Sequence, residues 1–209
     1  MSHDFPTWED GMREQQRREQ EAREAIEEQR MAGIRHMLQA LGEDPDREGL
    51  KDTPRRVVRA WAELTAGYKL EPKKLLTTFG GENYDQMILC GPIEFFSTCE
   101  HHLLPFFGKA WLAYIPGKEN KIIGLSKLPR LVEIYSRRLQ NQERMTKQIA
   151  TTLAMLLDAK GAACLVRGQH FCMMARGVKQ ADAQMTTCAI EGVFFEPQVR
   201  AEFLNLVSK

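Results

Sequence analysis

Hydrophobic positions are sparse in the first part of the chain. Between Glu9 and Arg30 nearly every residue is charged or Gln, and few side chains are available for burial: Met12, Ala22, Ala25 and Ile26. Three pairs place an acid four residues before a base: Glu9 with Arg13, Glu14 with Arg18, and Glu19 with Arg23. That spacing favours a helix. Residues 1–30 are therefore predicted to be a solvated, frayed helix, either a mobile charged arm or a helix that contacts a partner.

Two amphipathic helices are predicted next, over residues 31–70. Apolar residues recur at helical spacing from Met31 until Gly42, where the first helix should end: Met31, Ile34, Leu38 and Leu41. The second helix should begin at Asp52-Thr53-Pro54, because a capping residue followed by proline is typical of a helix start. Its buried face comprises Val57, Val58, Trp61 and Leu64.

From Met87 onward the pattern changes to short runs of aromatic and branched residues, which is typical of strands. These runs cover 87–90, 93–98, 109–115 and 121–125, and again 162–168, 169–176 and 184–196. Two apolar-striped helices are predicted between the groups, over 126–139 and 141–160, and another after residue 196. This order predicts an α+β domain in which helices cover one face of an antiparallel sheet.

Composition narrows the class of protein. The 209 residues are 43% hydrophobic and 27% charged, with a net charge of +1, which argues against nucleic-acid binding. No apolar run is long enough for a membrane helix, and the N-terminus has no signal-peptide core, so a cytoplasmic location without membrane association is expected. Five scattered cysteines argue against a secreted disulfide framework and favour reduced thiols or metal ligands.

Metal-capable side chains form two clusters. Cys99 and His102 are three residues apart, and His170 and Cys172 are two apart, a spacing that would place both on one face of a strand. Two thiolates and one imidazole suit zinc, and three protein ligands leave a fourth position for water, as in catalytic zinc sites. Either His101 or His170 could instead close the site, and the alternative for all these residues is a set of buried thiols and core histidines.

A second group of residues indicates an anion pocket. The helix that opens at Ser126 and Lys127 presents free backbone donors, with Arg130 and Arg176 as further cations. No glycine-rich phosphate loop occurs in the sequence, so a nucleotide would be held by side chains and helix ends. Gln142 and Glu143 begin the next helix, where they are either ordinary first-turn residues or hydrogen-bonding partners for a base.

Three segments in the same order closely resemble the GTP cyclohydrolase I family: TCEHHLLPFFGKAWLAYIPG, IGLSKLPRLVEIYSRRLQNQERMTKQIA and HFCMMARGV. The resemblance runs from about Met31 to the C-terminus. It implies the tunnelling fold, a four-stranded antiparallel sheet with two helices between its hairpins, over residues 87–209. It further implies a homodecamer of two stacked pentamers, with active sites between subunits and GTP as the substrate.

The resemblance also implies a role for each candidate residue. One Zn²⁺ per subunit would be bound by Cys99, His102 and Cys172. Catalytic roles would fall to His101, His170, Ser126 and Glu143. GTP would be bound by Gln142 and Glu143 at the guanine, and by Ser126, Lys127, Arg130 and Arg176 at the ribose and triphosphate, with Arg56 and Arg59 from a neighbouring chain. The reaction would open the ring at C8, release formate, and yield 7,8-dihydroneopterin triphosphate by an Amadori-type rearrangement.

The sequence departs from the family between Gly177 and Cys188, where Ala183, Met185 and Cys188 stand in place of the usual hydroxyl-bearing residues. Two alternatives to this function are open, and the departure suggests the first of them. One is a zinc-binding scaffold of the same fold with impaired catalysis. The other is a related enzyme that stops at the ring-opened formamide.

Overall fold

The structure is a computed structural model that describes residues 8–75 and 77–208. Residues up to Glu63 form one compact unit, and residues from Leu64 onward form another. The helices are α1 (Trp8–Ala40), α2 (Thr53–Leu64), α3 (Pro72–Leu75), α4 (Lys127–Ser136), α5 (Gln142–Leu157), α6 (Phe171–Met174) and α7 (Pro197–Val207). The strands are β1 (Thr78–Gly80), β2 (Ile88–Cys99), β3 (Pro105–Ile115), β4 (Lys121–Ile123), β5 (Leu139–Gln140), β6 (Gly161–His170) and β7 (Met185–Gly192). Within the described part of the chain, none of these helices has the length and apolar character needed to cross a bilayer.

The first unit is dominated by α1, which continues through 33 residues without the break that the change in pattern at Met31 suggests. Ion pairs one turn apart support its charged half, because Glu14 lies 2.8 Å from both Arg17 and Arg18. Leu38 is buried in its apolar half. Leu41, which the sequence places on the same face, lies beyond the end of the helix and is 72% exposed.

The second unit is built on a five-stranded sheet with the order β5-β2-β3-β6-β7. The four long strands pair antiparallel, and the two-residue β5 pairs parallel with the end of β2. Because α4 and α5 connect β3 to β6, both helices lie between the β2–β3 and β6–β7 hairpins. A separate ribbon pairs β1 with β4.

Two hydrophobic cores lie on opposite faces of this sheet. Leu112 and Tyr114 of β3 point toward α4 and α5 and pack with residues such as Met145. Ala113, between them, points the other way and packs with Phe203 of α7. Helices on one face are therefore confirmed for α4 and α5, whereas α7 covers part of the opposite face, because β3 and β6 carry apolar residues on both sides.

The last predicted strands differ from the structure in one functionally important way. The pattern predicts that residues 169–176 are extended, but β6 ends at His170 and the chain turns into the single helical turn α6. His170 and Cys172 therefore do not share a strand face. The apolar run Phe171–Met174 has no alternation to distinguish a short helix from a strand, which explains the difference.

Candidate metal centre and active site

The candidate ligands meet at one edge of the sheet because of the strand order. β2 and β6 are both antiparallel to β3, so their last residues, Cys99 and His170, lie at the same edge, where β3 begins. Thr98 pairs with Pro105, and His170 pairs with Phe106 on the other side of β3. The two clusters, about 70 residues apart in the chain, are thus only one strand apart in the sheet.

The turn after β2 folds His102 back toward Cys99. Leu103 adopts a left-handed conformation (φ 55°), and its N–H donates to the carbonyl oxygen of Cys99 at 2.9 Å. As a result, Cys99 Sγ lies 4.0 Å from His102 Nδ1. Ligand atoms of Cys99, His102 and Cys172 all lie within 4.8 Å of one another, which is close enough to share one metal ion. Two thiolates and an imidazole are a donor set that zinc prefers, so these residues fit that ion.

The helical turn α6 presents Cys172 to this group. Burial raises the pKa of the Cys172 thiol, and the neighbouring thiol of Cys99 raises it further. The raised pKa favours the neutral thiol. A bound cation would favour the thiolate instead, because a metal-coordinated thiol is deprotonated. The protein alone therefore disfavours the thiolate that a metal requires, and metal binding is coupled to proton release.

The two other candidate histidines, His101 and His170, lie beside this group without belonging to it. His101 is exposed, with Nδ1 at 3.9 Å from Cys99 Sγ and Nε2 at 3.8 Å from a carboxylate oxygen of Glu100. His170 stacks face to face on Phe106, with ring centroids 4.6 Å apart. Burial lowers the pKa of His170, and the charge of Glu143 partly opposes that effect. Among the described residues, the group of mutually close ligand atoms contains Cys99, His102 and Cys172 but neither of these histidines.

Gln142 and Glu143, adjacent at the start of α5, occupy different environments. Glu143 is exposed and lines a cavity of about 380 Å³ together with Lys147, Cys188 and Phe195. Gln142 is only 1% exposed, and its amide is hydrogen-bonded within the protein. A second cavity, of about 450 Å³, is lined by residues such as Phe96, Trp111 and Arg167 and by none of the predicted site residues.

The predicted anion-binding residues are only partly brought together. Arg176 donates from Nη1 to His102 Nε2 at 3.3 Å, beside the candidate metal ligands. Ser126 lies at the N-cap position of α4, followed by Lys127 and Arg130, and none of these three side chains has a hydrogen bond or ion pair to another described residue. Arg56 and Arg59 lie on α2 in the other unit; Arg56 pairs with Asp52 at 3.4 Å.

Sequence reasoning missed a polar cluster that ties the β2–β3 turn to α5. Both terminal guanidinium nitrogens of Arg144 reach the Glu100 carboxylate, and the Asn141 side-chain amide donates to it at 3.1 Å. The Arg144 guanidinium holds the pKa of Glu100 below its usual range. Glu100 directly follows Cys99 in the sequence, but its partner Arg144 is 44 residues away, so no local pattern identifies the pair.

Comparison with known proteins identifies a matching family and similar proteins. The family model for GTP cyclohydrolase I matches residues 30–208. A protein named GTP cyclohydrolase 1 from Streptomyces griseus subsp. griseus is 48% identical over 88% of this chain and 92% of its own length. One from Chlorobium chlorochromatii is 51% identical over 83% of this chain and 78% of its own length. A solved structure of archaeosine synthase QueF-Like in the apo form is 12% identical and covers 52% of this chain and 94% of its own, with a TM-score of 0.38.

Proposed function

Because this chain belongs to the GTP cyclohydrolase I family, we propose that it is the enzyme that hydrolyses GTP to formate and 7,8-dihydroneopterin triphosphate, the first step of pterin and folate biosynthesis. The observation that carries this proposal is the meeting of Cys99, His102 and Cys172 at one sheet edge, next to His170. Hydrolysis at C8 of guanine needs an activated water and a group that moves protons, and this edge offers candidates for both.

The resident metal of this proposal is zinc, one ion per subunit. Cys99, His102 and Cys172 would hold it, since two sulfur donors and one nitrogen donor match its preferences and leave one coordination position open. When bound, zinc supplies Lewis-acid activation of a water molecule at neutral pH.

The protein's own side chains bind and orient GTP and move protons. His170, with His101 near it, would exchange protons with the purine as its imidazole ring opens. Glu143 would accept hydrogen bonds from the two adjacent N–H groups of the guanine edge, which adenine lacks. Its exposure at the wall of a cavity is consistent with such a contact.

Cations and one hydroxyl would hold the rest of the substrate. Ser126, Lys127, Arg130 and Arg176 would bind the ribose and triphosphate, with Ser126 close to the rearranging sugar. The side chains of Ser126, Lys127 and Arg130 have no hydrogen bond or ion pair to another described residue, so they are available for a ligand. Arg56 and Arg59 would reach the triphosphate from a neighbouring subunit.

The assembly proposed for this function is a decamer of two stacked pentamers, with each active site between subunits. The sheet order and the two helices between hairpins agree with a tunnelling-fold subunit, in which sheets of neighbouring subunits join into a barrel.

The test is to incubate the zinc-loaded protein with GTP and to follow formate together with the absorbance and mass of the product. We expect formate and a dihydropterin triphosphate, both abolished by a chelator and restored by zinc. Formate without the pterin would indicate an enzyme that stops after ring opening. A folded, zinc-replete protein that forms neither product would refute the proposal and favour a non-catalytic scaffold.

A further inference from the structure

The Gln142 side chain lies in a closed polar pocket formed by three elements. It projects from the first turn of α5 toward the ends of β6 and β7, and it is 1% exposed. A buried amide needs partners for both its oxygen and its nitrogen, since a buried polar atom without a hydrogen bond destabilises the folded protein. Which groups surround each end therefore determines how the amide is oriented.

One end of the amide faces only groups that can accept a hydrogen bond from it. Nε2 lies 3.2 Å from the carbonyl oxygen of Val166, 3.0 Å from that of Met185 and 3.1 Å from Thr187 Oγ1. Two of these three are backbone carbonyls, which cannot donate. This end must therefore be the NH₂ group, and the opposite end must be the carbonyl oxygen.

The neighbouring hydroxyls agree with this orientation. Thr146 Oγ1 donates to the backbone oxygen of Gln142 at 2.6 Å, so its lone pairs face Thr187 Oγ1 at 2.7 Å. Thr187 then donates to Thr146 and accepts from the Gln142 amide. The hydrogen bonds form a closed ring that begins and ends at Gln142, with one consistent direction.

The oxygen end of the amide determines where His170 carries its proton. Gln142 Oε1 lies 3.0 Å from His170 Nε2. Because an amide oxygen can only accept, Nε2 must be the protonated nitrogen of the neutral ring, and Nδ1 must carry the lone pair. Stacking on Phe106 at an interplanar angle of 3° holds the plane of the same ring.

Gly168 provides the space that this arrangement needs. It lies on β6 two residues before His170, and a Cβ atom at this position would overlap Oε1 of Gln142. A side chain here would push the amide oxygen away from the imidazole.

We propose that Gln142 is a positioning residue, which holds His170 in the Nε2–H tautomer and so makes Nδ1 the nitrogen that exchanges protons with the substrate. This role replaces the guanine contact that the sequence suggests for Gln142. It rests on the proposed function for its effect on turnover, but the tautomer itself is a property of the protein alone.

The direct test is ¹⁵N solid-state NMR of the full-length, zinc-loaded protein labelled in histidine, at alkaline pH, where imidazole is neutral. The His170 signals are identified by their loss in His170→Asn. We expect a protonated Nε2 and a bare Nδ1 in the parent, and a mixture of tautomers in Gln142→Met. A parent with the proton on Nδ1, or a Gln142→Met variant with an unchanged tautomer, would overturn the proposal.

The second test separates positioning from substrate contact by steady-state kinetics. Gln142→Met should lower kcat by about ten- to hundredfold, less than the roughly 10²- to 10⁴-fold typical of general acid–base catalysis because His170 itself is retained, and leave KM for GTP within about threefold. The matched control is Gln148→Met, the same substitution on α5 at an amide that contacts Gln140 rather than His170; it should behave as the parent. A raised KM with an unchanged kcat in Gln142→Met would instead establish a guanine contact.

Gly168→Ala provides an independent variant that leaves Gln142 intact. It should shift the same tautomer equilibrium and lower kcat in the same direction, with the zinc content unchanged. If the parent releases no formate from GTP, the proposed function fails, but the NMR result still decides the role of Gln142. If the parent is active and neither Gln142→Met nor Gly168→Ala affects kcat, the positioning role fails and the function stands.

Discussion

Burial raises the pKa of the Cys172 thiol in the candidate metal centre, and the nearby thiol of Cys99 raises it further. A bound cation would stabilise two thiolates at such a distance, because it supplies opposite charge. The guanidinium of Arg176, which donates to His102, lowers the pKa of Cys172 too weakly to cancel the two opposing effects. At the scale of single residues, a metal bound at this centre would therefore have to displace the proton of Cys172.

The first prediction concerns Cys172→Ala. Removal of one of three protein ligands should reduce zinc from about one ion per chain to a small fraction of that value and abolish turnover. The protein should remain folded, since Cys172 is only partly buried at the edge of the sheet. Zinc content after gel filtration is the measurement, with Cys90→Ala, another half-buried cysteine, as the control. A zinc-replete, active Cys172→Ala variant would contradict the ligand assignment.

The second prediction concerns Glu143→Gln. An amide cannot accept from two N–H donors through two oxygens, so kcat/KM for GTP should fall about 10- to 100-fold, as expected for a lost charge-assisted hydrogen bond. Stability should change little, because Glu143 is exposed. The control is Glu133→Gln, an exposed glutamate on α4. Unchanged kinetics in Glu143→Gln would rule out a base-reading role.

Some site residues can be predicted from the sequence because their partners lie only a few residues away in the chain. Cys99 and His102 are three residues apart in one turn, and a thiol and an imidazole at that spacing already indicate a metal site. Gln142 is different, because its partners lie on β6 and β7, up to 45 residues away, and only the folded sheet shows that its amide faces inward. Its neighbour Glu143 is exposed, because successive residues of an α-helix are rotated by about 100° around the helix axis.

At the scale of elements, contacts between α5 and β7 join the helix layer to an edge strand. Lys147 and Thr151, one turn apart on α5, both bond to Glu191 of β7, with Lys147 Nζ at 2.6 Å. These partners, Lys147 above all, hold the pKa of Glu191 below its usual value. The sequence places Lys147 and Thr151 correctly on a helix, but the strand on which their partner lies follows only from the order of the sheet.

The third prediction follows from this lowered pKa. A carboxyl whose folded pKa lies below its unfolded pKa stabilises the protein above the unfolded value and loses that contribution as pH falls through the folded value. Glu191→Gln should therefore lower the free energy of unfolding by about 1 kcal/mol near pH 7, and the deficit should shrink below about pH 4.5. Denaturant midpoints across this range measure it, with exposed Glu202→Gln as the control. A deficit that grows toward acid would contradict the assignment.

At the scale of the whole molecule, the sequence predicts the fold class, but it does not predict which helix packs on which face of the sheet. The change from helical spacing to short runs of aromatic and branched residues at Met87 predicts the α+β class, and the structure confirms it. The position of α7 opposite α5 depends on buried small residues such as Ala113 and Ala163, which give the central strands a second apolar face. Periodicity does not show which face a later helix will cover, since both faces are apolar.

The fourth prediction concerns the assembly. Arg56→Ala and Cys172→Ala should each be inactive, but mixed oligomers should regain activity if each site draws Arg56 from a neighbouring subunit. Random mixing of equal amounts would restore about a quarter of the sites. The measurement is formate release after unfolding and refolding the mixture, together with light scattering for a mass about ten times the 24.0 kDa of one chain.

The control for this experiment mixes His170→Ala with Cys172→Ala. These two residues are neighbours on one chain, so no combination of subunits rebuilds an intact site. Activity from this control, or none from the Arg56→Ala mixture, would contradict a site shared between subunits.

The polar ring around Gln142 also limits which substitutions the protein can tolerate. Gln142 donates to Thr187, Thr187 donates to Thr146, and Thr146 donates to the backbone oxygen of Gln142. Gly168 leaves the space that the amide oxygen of Gln142 fills. A scan of single substitutions would therefore score all four positions as intolerant, while a library that varies them together would contain functional combinations that no single step reaches. We therefore expect strong epistasis among these four positions, because all four surround a single buried amide.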